Sequence, residues 1–319
     1  MDNHDIRNYL NEVFDFEIKK RQLYTLKDRT HSDNIGLDPY KPVPYYGLFR
    51  SDNGEPACRN AVSERYEPHQ AKHIIHIAVE CAKAFNSDET TLVRASFKNG
   101  HHVSIAPSND YRQRIGNHRD NIWPRILING GLGGSSSLRI SIGYWRDLCS
   151  NLAMPKQVEG ISINFRHSRT ITERIEETDI QRKVYAAWHE LHDKMLKMRE
   201  KAIPLSSALH TIFGNHTERS ENAAIARNEA IIKRIWDERQ AVTGDDHPLN
   251  VRNLDHVNGW EFYNGIQGYY QHDAPMRSAE VPNPLRRRRE LVDDNLWNRM
   301  LRTIDNSYVT AAENYVLSA

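Results

Sequence analysis

The chain has 319 residues, of which 39% are hydrophobic and 27% charged, and its net charge is +1. This balance is that of an ordinary globular protein with one large or two moderate domains. No run of eighteen apolar residues occurs, so we expect no membrane span. Three cysteines without a Cys-x-x-Cys pair argue against a disulfide framework or zinc ribbon and for a reducing compartment. With so small a net charge, any attraction for nucleic acid must come from local patches.

The first 44 residues predict a helix followed by a polar connector. Ile6, Leu10, Val13, Phe14 and Ile18 recur at helical spacing, which predicts one buried face. Gly and Pro then interrupt the pattern in THSDNIGLDPYKPVP. We expect this arm to pack on the body of the protein or on a partner.

Residues 45–169 predict a region that contains both strands and helices. Asn53-Gly54 and Asn99-Gly100 stand between extended runs and predict hairpin turns. Between them, PHQAKHIIHIAVECAKAF carries apolar residues three and four positions apart and predicts a helix with one buried face. RILIN, SLRISIG and EGISINFRH predict further strands, whereas GYWRDLCSNL is interpreted as helical.

Residues 170–319 predict a mostly helical region. Thr170 and Glu173 have capping-box spacing. A long apolar stripe follows at Ile180, Val184, Trp188, Leu191, Met195 and Met198. Four more helices are predicted in ERSENAAIARNEAIIKRIWDERQ, NGWEFYNGIQGYYQH, RRRRELVDDNLWNRMLRTI and SYVTAAENYVLS. We therefore predict an α+β fold, with a twisted antiparallel sheet, flanking helices and a helical C-terminal half that packs on the sheet region as one domain.

The segment GGLGGSSS raises the question of a phosphate-binding loop. A P-loop needs a Lys and a Ser or Thr after its glycines, and no Lys follows here. A dinucleotide site needs a helix after the glycines, whereas LRISIG predicts a strand. We interpret the segment as a connection between strands that lets the main chain approach a phosphate, with loop residues Asn129, Gly133, Gly134 and Ser135.

Polar residues near the first long helix of the sheet region are candidate metal ligands. They are His69, His73, His76 and Glu80, whose spacing places them on the face opposite the apolar stripe. The same pattern fits a solvated polar face. Cys149 with His167 is a possible nucleophile and base, but no third orienting group is identifiable. We predict no catalytic residues, no resident metal and no cofactor.

Arginines close to aromatic residues form the candidate binding surface. Single-stranded nucleic acid is bound by cations that contact its backbone and by flat rings that stack on its bases. The predicted phosphate contacts are Arg125, Arg139, Arg146, Arg166 and Arg169, and the predicted stacking contacts are Trp123, Tyr144 and Trp145. A solvated charged surface is the alternative, because acids nearly balance bases in the whole chain.

Four stretches of the chain resemble the phage and plasmid-like family known as domain of unknown function 932. They are YGLFRSDNGEPACRNAVSERYEPHQ, WPRILINGGLGGSSSLRISIGYWRDLCSNLAM, ISINFRHSRTI and GWEFYNGIQGYYQH. The resemblance implies a mobile-element protein of the bacterial cytosol and no established activity. Many members have His and Asp in the loop where this chain has Gly131 and Leu132, which argues against a catalytic role for the loop.

The sequence thus predicts a non-catalytic, nucleic-acid-associated protein of a phage or related element. Its concrete form is a protein that binds or anneals single-stranded DNA during replication or recombination. Two alternatives stay open. One is a protein that inhibits or redirects a host factor through an apolar patch near Phe14 and Tyr24. The other is a metal-dependent hydrolase or nuclease. A homo-oligomer is compatible with each of the three.

Overall fold

The computed structural model describes residues 2–26, 40–85, 92–107, 113–114, 121–133, 137–146, 149–153, 162–200, 202–213, 221–243, 255–269 and 273. Helices and antiparallel strands are both present, which confirms the α+β class. The helices predicted in RRRRELVDDNLWNRMLRTI and SYVTAAENYVLS lie outside these residues. Within the described part, no helix is long and apolar enough to cross a membrane.

Eleven strands and seven helices make up the described chain. In chain order they are α1 (Asn3–Val13), β1 (Ile18–Leu26), β2 (Tyr40–Arg50), α2 (Ala71–Lys83), β3 (Leu92–Phe97), β4 (Gly100–Ala106), β5 (Gln113–Arg114), β6 (Asn121–Gly131), β7 (Leu138–Arg146), β8 (Cys149–Ala153), β9 (Ser162–Phe165), α3 (Ile171–Glu176), α4 (Ile180–Glu200), β10 (Ala202–Pro204), α5 (Leu205–Phe213), α6 (Glu221–Thr243), β11 (His256–Asn258) and α7 (Gly259–Gly268).

The strands form three sheets. β1 pairs with β2 in a two-stranded ribbon, and β10 pairs with β11. The large sheet has seven strands in the order β3-β4-β6-β7-β8, with β5 beside β6 and β9 beside β7. The pairs β3 with β4 and β4 with β6 are antiparallel, as alternating apolar residues joined by short turns favour.

The chain forms two compact units that interleave along the sequence. The first unit comprises Met1–Ser108, Arg125–Ser141 and Ile163–Tyr185. The second unit comprises Asn109–Pro124, Ile142–Ser162 and Ala186–Ala319. These bounds differ from the predicted segments 1–44, 45–169 and 170–319. Each unit consists of three segments that are separated in the sequence by segments of the other unit.

The core of the first unit lies between its helices and the sheet. α2 presents Ile74, Ile77 and Cys81, all fully buried, and it packs against α1, α3 and β4. The predicted buried face of this helix is confirmed. Its side chains at three- and four-residue spacing face the sheet because a helix turn has 3.6 residues.

The N-terminal arm begins with a helix that packs on the body, as predicted, but residues 18–26 and 40–44 of the expected connector form strands, and residues 27–39 lie outside the described part. α1 begins after Asp2, whose side chain caps the helix, and it buries Ile6 and Leu10 against α2 and β3. From Ile18 the chain continues as strand β1 instead of a connector. Ile18 is therefore buried through strand pairing, although its spacing from Phe14 also fitted a helix.

Both asparagine-glycine turns are confirmed. Asn99 has a φ of 56° and Gly100 a φ of 148° where β3 turns into β4. Gly54 has a φ of 71° in the turn after β2, where the Arg50 amide donates to the Glu55 carbonyl at 2.9 Å. These positive φ values favour glycine and asparagine, which explains why the sequence signal was reliable.

The interpretation of GYWRDLCSNL as a helix is wrong. The segment contributes to β7 and β8, two antiparallel strands. Ile140, Ile142 and Tyr144 are buried at every second position, which is the period of a strand. The strand pattern of SLRISIG therefore runs on through Arg146, and pairing with β8 overrides the local helical spacing.

The C-terminal half contains the predicted long helices. The whole apolar stripe from Ile180 to Met198 is buried along α4, and α6 and α7 also form as predicted. Thr170 precedes α3, but its side chain makes no capping hydrogen bond. In the second unit, α7 packs closely on α6, with Gly265 against Ile235.

Candidate nucleic-acid interface

The described strands of the ribbon and the large sheet contain cations and no carboxylate. The ribbon carries Lys19, Lys20, Arg21, Lys41 and Arg50, and the large sheet carries Arg94, Arg114, Arg125, Arg139 and Arg146. No Asp or Glu occurs in any strand of either sheet. Since the whole chain has 43 basic and 42 acidic residues, the sheets concentrate positive charge that helices and loops balance elsewhere.

One face of the sheet in the first unit is polar and basic. On the opposite, buried face are Val93, Ile105 and Ile126, where α1 packs on β3 and α2 packs on β4. Arg94 is paired with Ser104, and Ser104 with Leu127, so these three share the other face. Arg125 lies two residues from Leu127 and points the same way, because side chains alternate along a strand.

Arg94 and Arg125 form a pair of like charges without a carboxylate. Arg94 is exposed and Arg125 half-buried, and the buried Nε of Arg125 makes no hydrogen bond within the described chain. Burial, and then the nearby charge of Arg94, lower the pKa of Arg125. None of the ion pairs among the described residues includes either arginine. A partly desolvated guanidinium with no counter-charge is costly and creates a local positive potential that attracts anions.

Three other predicted arginines also belong to the first unit. Arg139, on β7, donates from Nε to the Asn164 Oδ1 at 2.8 Å and is half-buried. This contact holds the guanidinium without cancelling its charge. Arg166 and Arg169 are exposed just after β9.

The predicted contacts in the second unit do not form a surface. Tyr144 and Arg146 are each 1% exposed, so the structure corrects their assignment to nucleic-acid binding. The Arg146 guanidinium lies 5.2 Å from the centre of the Trp260 ring, and the Tyr144 ring lies 5.6 Å from it. Trp123 is half-buried, and the side chain of Trp145 lies outside the described part. The burial of Tyr144 and Arg146 follows from strand alternation, which places both on one face of β7.

The glycine-serine segment joins two strands, as interpreted. β7, not a helix, follows it, and β6 and β7 are neighbours in the sheet. Asn129 is exposed and its Oδ1 lies 3.1 Å from the Nδ1 of His102. Gly133 has a φ of 83°, and a Cβ there would lie 3.0 Å from the Sγ of Cys58. Gly134 and Ser135 lie outside the described residues.

The candidate metal ligand His69 is buried beside His101, which was not among the candidates, and this corrects the placement of His69 on a polar face. His69 and His101 are 0% exposed, and the Nε2 of His69 lies 3.0 Å from the Nδ1 of His101. A Cβ on Gly130 would lie 2.3 Å from the same Nε2, so this glycine makes room for the ring. Burial lowers the pKa of His69 well below its usual value and that of His101 to about 3, so both rings are neutral at pH 7.

The remaining candidates do not join these rings in a metal site. His73 accepts from the Gln70 amide at 3.1 Å and its Nε2 lies 3.0 Å from the Thr172 hydroxyl. His76 is exposed, and Glu80 pairs with Lys83 and accepts from Gln181. Among the residues described, no group of three or more His, Cys, Asp or Glu is arranged to hold a metal ion.

For the possible nucleophile and base, only the surroundings of His167 belong to the described side chains. The side chain of Cys149 lies outside the described part, although its backbone belongs to β8. His167 packs its ring 4.9 Å from that of Tyr66 and 5.1 Å from that of His69. These contacts place His167 in an aromatic cluster of the first unit.

Comparison with protein families assigns most of this chain to one family. The model described as Domain of unknown function (DUF932) matches residues 60–292. The chain belongs to this family. Comparison with the curated proteins and with the solved structures finds no match. The DUF932 range includes Arg94, Arg125 and the buried histidines, whereas β1 and β2 precede it.

Sequence reasoning missed Arg94 as a partner of Arg125, and it missed β1, which forms the ribbon with β2. Arg94 stands alone in TLVRASF, and only strand pairing across β4 brings it near β6. The sequence of β1, IKKRQLYTL, contains residues that favour strands, such as Ile18, Tyr24 and Thr25, together with several cations and no acid. This composition could have predicted a basic strand.

Proposed function

We propose that this chain binds nucleic acid through the polar, basic sheet face of its first unit and acts as a binding protein. The observation that carries the proposal is the Arg94–Arg125 pair, two neighbouring guanidinium groups with no carboxylate partner in the described chain. A phosphate backbone supplies a row of anions for such groups, and arginine binds phosphate through two parallel N–H donors.

The rest of the face suits the same ligand. Arg139 adds a third cation on the adjacent strand, and its bond to Asn164 fixes its orientation. Asn129 is exposed on β6, where its side-chain amide, held by His102 through the Oδ1, supplies a neutral hydrogen-bonding group. Phosphate and sugar contacts of this kind position a protein on nucleic acid without reading its sequence. The proposal therefore expects binding with little sequence preference.

The setting of this proposal is a phage or related mobile element, as the family resemblance implies, with binding or annealing of single strands as the concrete role. The proposal assigns no bond-making step to any residue. The competing hypothesis placed an apolar docking patch near Phe14 and Tyr24. Phe14 is only 2% exposed, so it is not available for such a patch. Tyr24 is exposed on β1, opposite Pro42.

Fluorescence anisotropy with a labelled single-stranded oligonucleotide tests the proposal at a fixed, low salt concentration. The informative variants are Arg94→Gln and Arg125→Gln. Each is expected to weaken binding about tenfold, since a charge-assisted hydrogen bond contributes roughly 1.5 kcal/mol or more. Equal losses for oligonucleotides of unrelated sequence are expected, because phosphate contacts carry no sequence information.

Arg182→Gln is the matched control. This arginine is exposed on α4 in the same unit, and its substitution changes the net charge by the same amount. Affinity is expected to stay within about twofold, since Arg182 belongs to a helix and not to a strand of the proposed face. An Arg182→Gln loss as large as that of Arg125→Gln would mean that only overall charge matters and would end the proposed site.

A further inference from the structure

The β1–β2 ribbon is firmly attached at one end. The backbone N–H of Ile18 donates to the Gln70 Oε1 at 2.9 Å. The side-chain Nε2 of Gln70 donates to the Ile18 carbonyl at 3.0 Å. Lys20 donates to the carbonyls of Glu64 and Tyr66 at 2.8 and 3.0 Å. Ile18 and Leu48 are buried, so this face of the ribbon lies against the body. Lys19 and Arg21 alternate with the inward-facing residues of β1. They and their cross-strand partners, Phe49 and Gly47, therefore face outward.

The outward face combines cations and rings. Lys19 pairs with Phe49 across the ribbon, and Arg21 pairs with Gly47. Lys19 and Arg21 are exposed. The Arg21 guanidinium lies 5.5 Å from the centre of the Phe49 ring. A Cβ on Gly47 would lie 2.6 Å from the Phe49 ring, so the glycine lets the ring lie along the strand.

An irregularity in the pairing adds a second ring to this surface. The register shifts between Gln22 and Tyr24, and the Gln22 side chain donates to the carbonyls of Val43 and Tyr45 there. These bonds satisfy main-chain groups that the shift removes from the ladder. Tyr45 lies at this irregularity and is 55% exposed, so its ring does not contribute to the core.

The far end of the ribbon exposes two more rings and a cation, with the rings and the cation on opposite faces. Tyr24 is 57% exposed and lies opposite Pro42, and Lys41 is exposed opposite Thr25. Tyr40 is 52% exposed opposite Leu26. The ribbon thus carries rings and cations along its whole described length, without a single acid.

We propose that the outer surface of the β1–β2 ribbon binds the unpaired bases of a single-stranded nucleic acid, with Tyr45 and Phe49 stacking on bases and Lys19 and Arg21 contacting phosphates. This inference rests on the proposed function and names a second contact region, outside the family-matched range, that selects single strands. Lys19 and Arg21 are two strand residues apart, or about 7 Å, which is close to the separation of neighbouring phosphates in an extended strand.

Ring chemistry favours a single strand over a duplex. A two-stranded ribbon can enter the major groove of DNA, where side chains must hydrogen-bond to base edges. The outward side chains here are instead cations and rings, and a ring gains most from the flat face of an unpaired base. In a duplex those faces are covered by neighbouring base pairs. The ribbon is therefore assigned to unpaired bases.

The test compares a single-stranded oligonucleotide with its duplex, using the full chain and the variants Tyr45→Ala and Tyr45→Phe. Tyr45→Ala is expected to weaken single-strand binding roughly 5- to 150-fold, the range given by one stacked base, and to leave duplex binding within about twofold. Tyr45→Phe keeps the ring and is expected to bind as the wild type does. Tyr185→Ala removes an exposed tyrosine from α4 and is expected to change neither affinity.

The outcomes separate this inference from the proposed function. Equal losses for single strand and duplex in Tyr45→Ala, or no loss in either, would overturn the ribbon assignment. If Arg94→Gln weakens binding while Tyr45→Ala does not, the ribbon inference fails and the sheet face stands. If the wild type binds neither oligonucleotide, both proposals fall together. Circular dichroism of each variant verifies that the fold is retained.

Discussion

Gly130 is the residue whose substitution tests the described packing most sharply. An alanine Cβ at this position would lie 2.3 Å from the Nε2 of His69 and 3.0 Å from the Cδ1 of Ile74. Carbon and nitrogen atoms in contact need about 3.5 Å. The His69 ring is 0% exposed and bonded to His101, so it cannot move without losing that bond.

The expected cost of Gly130→Ala is about 2–4 kcal/mol of unfolding free energy. Overpacking a closed core contributes about 1–3 kcal/mol, and loss of the His69–His101 hydrogen bond contributes about 1 kcal/mol. Gly130 has no positive φ, so backbone strain adds nothing to this figure. In a His69→Ala background the ring is absent, and the same substitution is expected to cost less than about 1 kcal/mol. A double-mutant cycle therefore yields a coupling of roughly 2 kcal/mol.

Native-state hydrogen exchange of the α2 amides is the appropriate measurement. All six tryptophans belong to the second unit, so tryptophan fluorescence would follow unfolding of the other unit. Exchange from α2 reports the first unit, to which both Gly130 and His69 belong. An equal cost of Gly130→Ala in the two backgrounds would refute the contact between the glycine and the ring.

Three further predictions concern packing, pH and the balance between binding and stability. Gly265→Ala brings a Cβ within 2.3 Å of Ile235, so it is expected to destabilise the second unit by about 1–3 kcal/mol, read by tryptophan fluorescence in urea. Gly268→Ala meets only the flexible Arg234 side chain at 3.3 Å and serves as the control, expected to be neutral or slightly stabilising. For pH, folded His101 has a pKa of about 3, whereas an unfolded imidazole has about 6.5. The stability that neutral His101 contributes is therefore full above pH 6.5 and is lost as the pH falls toward 3, at about 1.4 kcal/mol of unfolding free energy per pH unit. In His101→Phe, urea titrations should show a smaller decrease of unfolding free energy over this pH range. Finally, Arg125→Gln removes a half-buried cation with no carboxylate partner, so hydrogen exchange from α2 should show unchanged or increased stability while oligonucleotide affinity falls; a marked loss of stability would indicate a structural role instead.

Local signals in the sequence predicted the parts of the fold that depend on local physics. The two asparagine-glycine turns require positive φ, and few residues other than these adopt it readily. The helices α2 and α4 follow from long runs of helical spacing, which a strand cannot satisfy.

The misread elements depend on contacts with distant segments. β1 has no clean alternation, and its strand character comes from pairing with β2, whose partner residues lie 14 (Leu26 with Tyr40) to 32 (Ile18 with Arg50) positions later. β8 exists because β7 pairs with it, although its sequence also fits a helix. Local spacing cannot decide such cases, because sheet pairing is worth more than propensity.

The candidate site was predicted in part for the same reason. Arg125 and Arg139 were chosen for their aromatic neighbours in sequence, yet their partners on the face are Arg94 and Asn164. Tyr144 and Arg146 looked suitable for nucleic acid but fall on the buried side of β7. Because side chains alternate between the two faces of a strand, the buried positions of β6 and β7 would have separated Arg125 and Arg139 from Tyr144 and Arg146.

The salt dependence of single-strand binding tests the central claim most directly. The logarithm of the association constant, plotted against the logarithm of salt concentration, has a slope of about −0.7 for each phosphate neutralised on a single strand. For the wild type the account predicts a clearly negative slope, and for the Arg94→Gln/Arg125→Gln double variant a slope reduced in magnitude by about 1.4. A wild-type slope near zero, or the same slope in both proteins, would contradict it.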